Sequence, residues 1–243
     1  MDRRADERRA VILLTAHDEA PPGEIDAALA ARGASLRARA VDAGLRLEFG
    51  RQIPDDPLAA VAKATGRNVM PAAAVIEITG PPGTPDDLLL RVVEAVSGWS
   101  DRAFDRRASA AVLGWVRRIT SGPSGPIMLA LGAQRREGLT QADFHEYWAG
   151  SHAPLALSLM PPGAPERIGY TQLHADREST VRAVETAGVG IGALDGVLQV
   201  LCRTPEDFLN IATEPGFAAK IYEDERNFAD QSVMRGGFLR LNQ

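Results

Sequence analysis

The chain is poor in the residues that most often advertise chemistry. Its 243 residues include one cysteine, four histidines and only 5% aromatics. A lone cysteine, Cys202, excludes an internal disulfide and any multi-cysteine metal site. It stands in an apolar, strand-like run and reads as a buried, inert thiol. No apolar run approaches the ~20 residues of a membrane span. Met1 to Ala10 are charged and hold no long apolar region, so they read as a solvated tail rather than a secretory signal. These absences predict a cytoplasmic protein with no membrane partner. Lys and Arg number 27 against 32 Asp and Glu, a net charge of −5. The arginines are interspersed with acids, so nothing resembles a basic nucleic-acid face. No serine sits in a nucleophile elbow. The glycines of Gly188-Val189-Gly190-Ile191-Gly192 lack G-x-G-x-x-G dinucleotide spacing. What remains is a hydrophobic content of 45%, enough for a real core.

Against that background one stretch stands out. Phe144-His145-Glu146-Tyr147-Trp148-Ala149-Gly150-Ser151-His152-Ala153-Pro154-Leu155 holds two of the four histidines and three aromatics. Thr140 and Asp143 ahead of it form a capping-box pattern, predicting a helix from about Thr140 to Met160. At helical periodicity Phe144, Trp148 and Leu155 share a stripe, and His145 and His152 lie together on its flank. Pro154 pushes Ala153 out of helical geometry, which puts His152 at or near a last turn. A titratable ring at the end of an apolar helix face is a plausible pocket wall.

The chain reads as two halves with one pattern: strand, helix, strand, strand, helix, strand. Val11 to Ala16 and Pro126 to Leu131 open the halves as buried strands. Helices follow at about Pro22 to Arg39 and Thr140 to Met160. Second strands lie around Leu45 to Ile53 and Arg167 to His174, third strands at Ala73 to Ile78 and Gly196 to Leu201. Thr84-Pro85-Asp86-Asp87-Leu88 then matches Thr204-Pro205-Glu206-Asp207-Phe208, each a Thr N-cap, a Pro at the first helical position and acids in the first turn. Arg102-Ala103-Phe104 parallels Arg226-Asn227-Phe228. Last strands run from about Ala108 to Ile119 and Met234 to Leu241. The pattern is the split βαβ, ferredoxin-like unit. One unit leaves a sheet face uncovered, and two can close into a barrel with helices outside. The predicted fold is therefore α+β, two tandem ferredoxin-like repeats forming an intrachain dimeric α/β barrel. Residues 1–10 are the tail, 11–121 the first half and 126–243 the second, divided at Ser121-Gly122-Pro123-Ser124-Gly125-Pro126. Asp176 to Gly192, a short helix and Gly-rich loop, reads as an insertion in the second half alone.

Gly138-Leu139-Thr140, Phe144-His145-Glu146-Tyr147-Trp148, His152-Ala153-Pro154-Leu155, Tyr170-x-Gln172-x-His174 and Asp224-Glu225-Arg226-Asn227-Phe228-Ala229-Asp230 together resemble the EthD domain, a member of the dimeric α/β-barrel superfamily. The resemblance covers most of Ile127 to Leu241. The first half resembles the same fold without the signatures: it has no aromatic-rich first helix and no histidine on it, and keeps only Asp101, Phe104 and Asp105 near the acidic–aromatic position. The resemblance implies a pocket in the second half, with the first half mainly a partner sheet. Relatives of that family include polyketide or pigment enzymes that dehydrate, decarboxylate or cyclise, and an accessory protein of ether-degrading P450 systems. The wider superfamily includes some haem enzymes.

The candidate catalytic residues are His152, His174 and Asp230. An imidazole titrates near working pH and suits general acid–base chemistry. The competing reading of His152 is a helix-capping ring. Strand alternation sets Tyr170, Gln172 and His174 on one face. If that face is the barrel interior, a hydroxyl, an amide and an imidazole converge on a cavity. Asp224, Glu225 and Asp230 flank Phe228, where an acid could orient a histidine; they could equally cap the helix-to-strand turn. Tyr147, Trp148 and Phe228 complete the candidate substrate-binding set with Tyr170 and Gln172, and Tyr222 could add a hydroxyl. His145 has polar neighbours and reads as solvated, and His17 as a surface or hydrogen-bonding residue. No metal is expected, since H-E-x-x-H and Cys/His spacings are absent. No cofactor is expected either; haem ligation by one histidine is the alternative. The functional expectation is a cofactor-independent lyase or isomerase acting on a hydrophobic oxygenated small molecule. The alternative is a non-catalytic binding or accessory protein. Exposed faces of the outer helices offer a place for a homodimer contact.

Overall fold

The computed structural model describes residues 7–64, 67–99, 102–122, 125–192 and 194–242. Asp101, Pro123 and Ser124 therefore lie outside the described residues, as does most of the 1–10 tail. The first half contains β1 (Arg8–Ala16), α1 (Pro22–Asp42), β2 (Arg46–Gln52), α2 (Leu58–Ala64), β3 (Asn68–Pro71), β4 (Ala74–Gly80), α3 (Asp86–Val93) and β5 (Phe104–Arg118). The second contains β6 (Ile127–Ala133), α4 (Gln141–Tyr147), α5 (Ala153–Leu159), β7 (Gly169–Ala175), α6 (Arg177–Ala187), β8 (Gly196–Cys202), α7 (Pro205–Ala212), α8 (Pro215–Glu225) and β9 (Val233–Asn242). β1 begins at Arg8, so the last residues assigned to a tail are sheet.

Strands run β2-β4-β1-β5-β7-β8-β6-β9, and β9 pairs back to β2. Each half thus keeps the ferredoxin-like order, fourth strand, first, third, second. The halves meet edge to edge through β5–β7 and β2–β9, both antiparallel, which closes eight strands into a barrel and satisfies every ladder edge within it. Short β3 adds outside the ring, parallel to β9. The barrel interior is solid. Val11, Leu13, Val75, Val112, Met128, Leu173, Val197 and Leu239 from both halves fill it. Arg9, Glu77 and Gln199 add a buried polar network, with Gln199 Nε2 donating to Glu77 at 2.6 Å.

Alternation then turns the other set of side chains outward beneath the helices. In the first half this layer is packed by Leu36, Phe49, Ile76, Leu89, Trp99, Phe104 and Leu113. In the second it is built from Leu129, Ala156, Ile168, Tyr170, Val200, Phe217 and Phe238. The segment Asp176 to Gly192 has a counterpart. In each half the helix after the second strand, α2 or α6, lies over the other half: Leu58 joins the second-half layer, and Ala183 and Ala187 join the first. Thr180 Oγ1 pins α6 to β5 by donating to the Leu113 carbonyl at 2.9 Å. Among the described residues, no helix is long and apolar enough to cross a membrane.

Candidate active site

The aromatic-rich helix starts as its sequence demands. Thr140 caps α4, accepting from the Asp143 amide, while Asp143 accepts from the Thr140 amide. The helix does not stop at His152. Trp148–His152 forms a π turn, and α5 continues to Leu159. Pro154 brings no N–H and crowds the carbonyl four residues back. A widened turn relieves that clash, with Ala153 N–H bonding to the Trp148 carbonyl. The extra residue per turn also separates the two histidines that ideal periodicity places side by side.

His145 points inward and is buried, contrary to the solvated role expected of it. Its Nε2 lies 2.8 Å from the Asp195 carbonyl, and its ring meets Trp115 edge-on. This histidine is a strut between α4 and the start of β8. His152 goes elsewhere. Its Nδ1 lies 2.8 Å from Asp224 Oδ2 on α8. The other carboxylate oxygen accepts from the Tyr147 hydroxyl at 2.8 Å, and that hydroxyl accepts from Asn227 Nδ2 at 3.2 Å. Phe228 stacks on Tyr147 and packs against the His152 ring. A carboxylate can only accept, so Nδ1 carries a proton, and in the neutral ring Nε2 presents its lone pair. Burial, and then the hydrogen bond to Asp224, raise the Tyr147 phenol above its ordinary range, which keeps it a donor.

Tyr170, Gln172 and His174 share one face, but it is the outer face of β7, beneath the π turn, and not the barrel interior. The network fixes their roles. The Trp148 carbonyl can only accept, so Gln172 turns its Nε2 toward it at 3.2 Å. The same nitrogen donates to the Tyr170 hydroxyl at 2.7 Å. Gln172 Oε1 then faces His174 Nε2 at 3.0 Å, which must be the donor. The Tyr170 oxygen therefore accepts, and its own proton has no acceptor among the described residues. Burial pushes this phenol well above its ordinary range. His174 stacks on Trp115 and tilts against Trp148. Gly196 makes room for that indole, because a Cβ there would lie 2.6 Å from its ring.

His152 and Tyr170 meet on one cavity of about 150 Å³ between the sheet and α5, α7 and α8. Its wall is mostly apolar, with Leu131, Ala156, Ile168, Val200, Phe208 and Ile221. Trp148, Gln172 and His174 support Tyr170 from behind, as Tyr147 and Phe228 support His152. Asp230 does not belong to the site. It is exposed in the turn before β9, where its carboxylate accepts from the Ser232 amide at 2.9 Å. The acid that orients the histidine is Asp224, one helical turn before Phe228. Among the described residues, no group of three or more His, Cys, Asp or Glu side chains converges to hold a metal. His17 is exposed, as expected of it.

The first half supplies a wall that sequence reading missed. Leu58 and Val61 of α2, and Arg67 just after it, line the same cavity. Arg67 ion-pairs with Glu225 and lies over the Tyr222 ring, 4.8 Å from its centroid. The signal for α2 is the apolar spacing Leu58, Val61, Ala62; nothing local marks Arg67.

The family match falls on this half. Residues 136–232 match the family model described as the EthD domain. A conidial pigment biosynthesis dehydratase from Metarhizium robertsii is 28% identical over 115 residues, 47% of this chain and 81% of that protein. The decarboxylase nsrE of Aspergillus novofumigatus is 25% identical, covering 43% of this chain and 70% of that protein. The dehydratase aurZ of Gibberella zeae is 25% identical, covering 49% and 81%. Among solved structures, a mutant chlorite dismutase from Candidatus Nitrospira defluvii shares the fold with a TM-score of 0.53 at 11% identity, covering 98% of this chain and 95% of that one. A heme-binding protein from Thermus thermophilus matches with a TM-score of 0.52 at 10% identity, covering 98% and 92%. The residues present here do not fit a haem. The cavity of about 150 Å³ is smaller than the ~300–1,000 Å³ of sites for larger ligands. His152 would still offer Nε2, its Nδ1 being held by Asp224, so it is the size of the cavity and not the donor that excludes the group.

Proposed function

We propose that the second-half cavity carries out enolate-forming lyase chemistry on a hydrophobic, oxygenated small molecule. The observation that carries this reading is the pairing, on one apolar wall, of an imidazole lone pair and an unspent phenol proton. His152 Nε2 removes the proton on the carbon next to a carbonyl. Asp224 holds the ring in the tautomer that exposes Nε2 and stabilises the imidazolium that forms. Tyr170 donates its proton as a hydrogen bond to the carbonyl oxygen as negative charge develops there. For a β-hydroxy carbonyl compound, collapse of the enolate expels the hydroxyl. The imidazolium returns the proton to that oxygen, and water leaves. For a β-keto acid, His152 Nε2 takes the proton of the carboxylic acid, the same oxyanion forms as the C–C bond to the carboxylate breaks, carbon dioxide leaves, and the imidazolium protonates the carbon. Gln172 and His174 are positioning residues here, since they reach the reaction only through Tyr170.

The dehydratase and decarboxylase relatives support this class of reaction. The test is incubation of the purified protein with a panel of aromatic β-hydroxy ketones and β-keto acids, read by mass spectrometry as loss of water or of carbon dioxide. His152→Ala should lower turnover about 10²- to 10⁴-fold. Unchanged turnover in that variant, with its fold intact, would remove the assignment.

A further inference from the structure

The cavity has a second polar pole, made by one residue from each half. Arg67 and Glu225 are the only Arg, Lys, Asp or Glu side chains on its described lining. They pair with each other, and their side chains are 12% and 24% exposed. Arg67 spends Nη2 on Glu225, while Nη1 makes only a long 3.8 Å contact to Met234 sulfur. Its Nε–H is sealed away from a ligand and makes no hydrogen bond among the described residues, so the donor left for the cavity is on Nη1. Glu225 accepts with Oε2 from both Arg67 and Gln231, and Oε1 has no hydrogen bond among the described residues. The pole therefore holds one unspent donor beside one unspent acceptor and is neutral as a unit.

A neutral pair with a spare donor and a spare acceptor matches a hydroxyl group, which both gives and takes a hydrogen bond. It does not match a carboxylate. A second anion beside Glu225 would face like-charge repulsion across an apolar, low-dielectric space, where such repulsion is strongest. We infer that Arg67 and Glu225 form a specificity pole for an uncharged phenol or alcohol, so that the ligand enters neutral. The inference rests on the proposed lyase reading and narrows it. Substrates that lose water are accepted, and those that must carry a carboxylate into the cavity are disfavoured. It also gives the first half a part in the site, through the α2 exchange that delivers Arg67.

Three ring-matched probes test this on the intact protein: 2-naphthol, naphthalene and 2-naphthoate, with dissociation constants measured by calorimetry or ligand-observed NMR. The expected result is 2-naphthol binding at least about tenfold tighter than either of the others. The double variant Arg67→Met with Glu225→Leu should lose the preference of 2-naphthol over naphthalene, while His152→Ala should keep its preference over 2-naphthoate. Binding of 2-naphthoate equal to or tighter than 2-naphthol in the wild type would overturn the inference without needing any variant. If the three probes bind alike, the specificity pole fails and the lyase reading stands. If none binds and H152A leaves turnover unchanged, both fail.

Discussion

The two halves answer one structural problem differently. Both keep the same strand order and both turn half of their sheet residues toward a helical layer. In the first half Trp99 stacks on Phe49 and tilts against Phe104, with Trp99 and Phe104 centroids 6.0 Å apart, so the rings pack against one another. In the second half the ring positions are spent on a hollow: Phe228 and Tyr147 brace a histidine, and Trp148 supports the amide that aims Tyr170. Two halves of one strand order thus use their rings differently, one packing them against each other and the other setting them around a cavity. Aromatic content per half is a poor guide to which does which; what matters is whether the rings touch each other or touch titratable groups.

The largest effects should come from breaking that asymmetry at the histidine. His152→Ala should cost about 10²- to 10⁴-fold in turnover, whereas His17→Ala should leave it unchanged. Tyr170→Phe removes the unspent proton and keeps the ring; turnover should fall about 10²- to 10³-fold with little change in thermal midpoint. Asp224→Asn frees the His152 tautomer and should lower kcat more than it raises KM.

Stability should sort the other way. Phe104→Ala empties a filled layer and should cost about 3–5 kcal/mol in urea unfolding while the folded fraction keeps its specific activity. Gly196→Ala forces a methyl against the Trp148 ring and should cost about 1–3 kcal/mol while also lowering turnover, because the Trp148 carbonyl holds Gln172.

The smallest effect is an alkaline one confined to the second half. Burial raises the Tyr170 phenol and pushes the Cys202 thiol up to about 12. With both raised in the folded state, the unfolded chain releases these protons first. Their contribution is fully present below about pH 8.5 for the thiol and about pH 10 for the phenol, and declines as pH rises toward the folded values. The urea midpoint of the wild type should therefore fall between pH 8 and 11 more steeply than that of a variant carrying both Tyr170→Phe and Cys202→Ala. Parallel curves would show that neither group is buried as described.

Much of this was legible in the amino-acid order. Periodicity gave the strand–helix sequence of each half, and the Thr-Pro-acid starts of α3 and α7 exposed the repeat. The caps themselves differ in detail: Pro85 takes the capping place of α3, and Thr84 Oγ1 turns back to the Pro81 carbonyl. His152, Tyr170 and Phe228 could be picked out because histidines and aromatic residues are scarce here. Three things were not legible. The face of β7 that holds Tyr170 was uncertain because a strand buried on both sides shows no polar alternation. The π turn is a local response to Pro154 that shifts register, so ideal helical angles misplace His145. Arg67 reaches the site only because α2 crosses to the other half, and such an exchange leaves no mark in the residues nearby.

The central claim is that the working space lies between the second-half sheet and its helices. A crystal structure of the protein with 2-naphthol tests it most directly. The account predicts the ring system between α5, α8 and β7, with an oxygen or ring carbon facing His152 Nε2 and the hydroxyl on Arg67 and Glu225. A ligand seated inside the barrel among Val11, Met128 and Leu173, or in the open groove between α1 and β9, would contradict it.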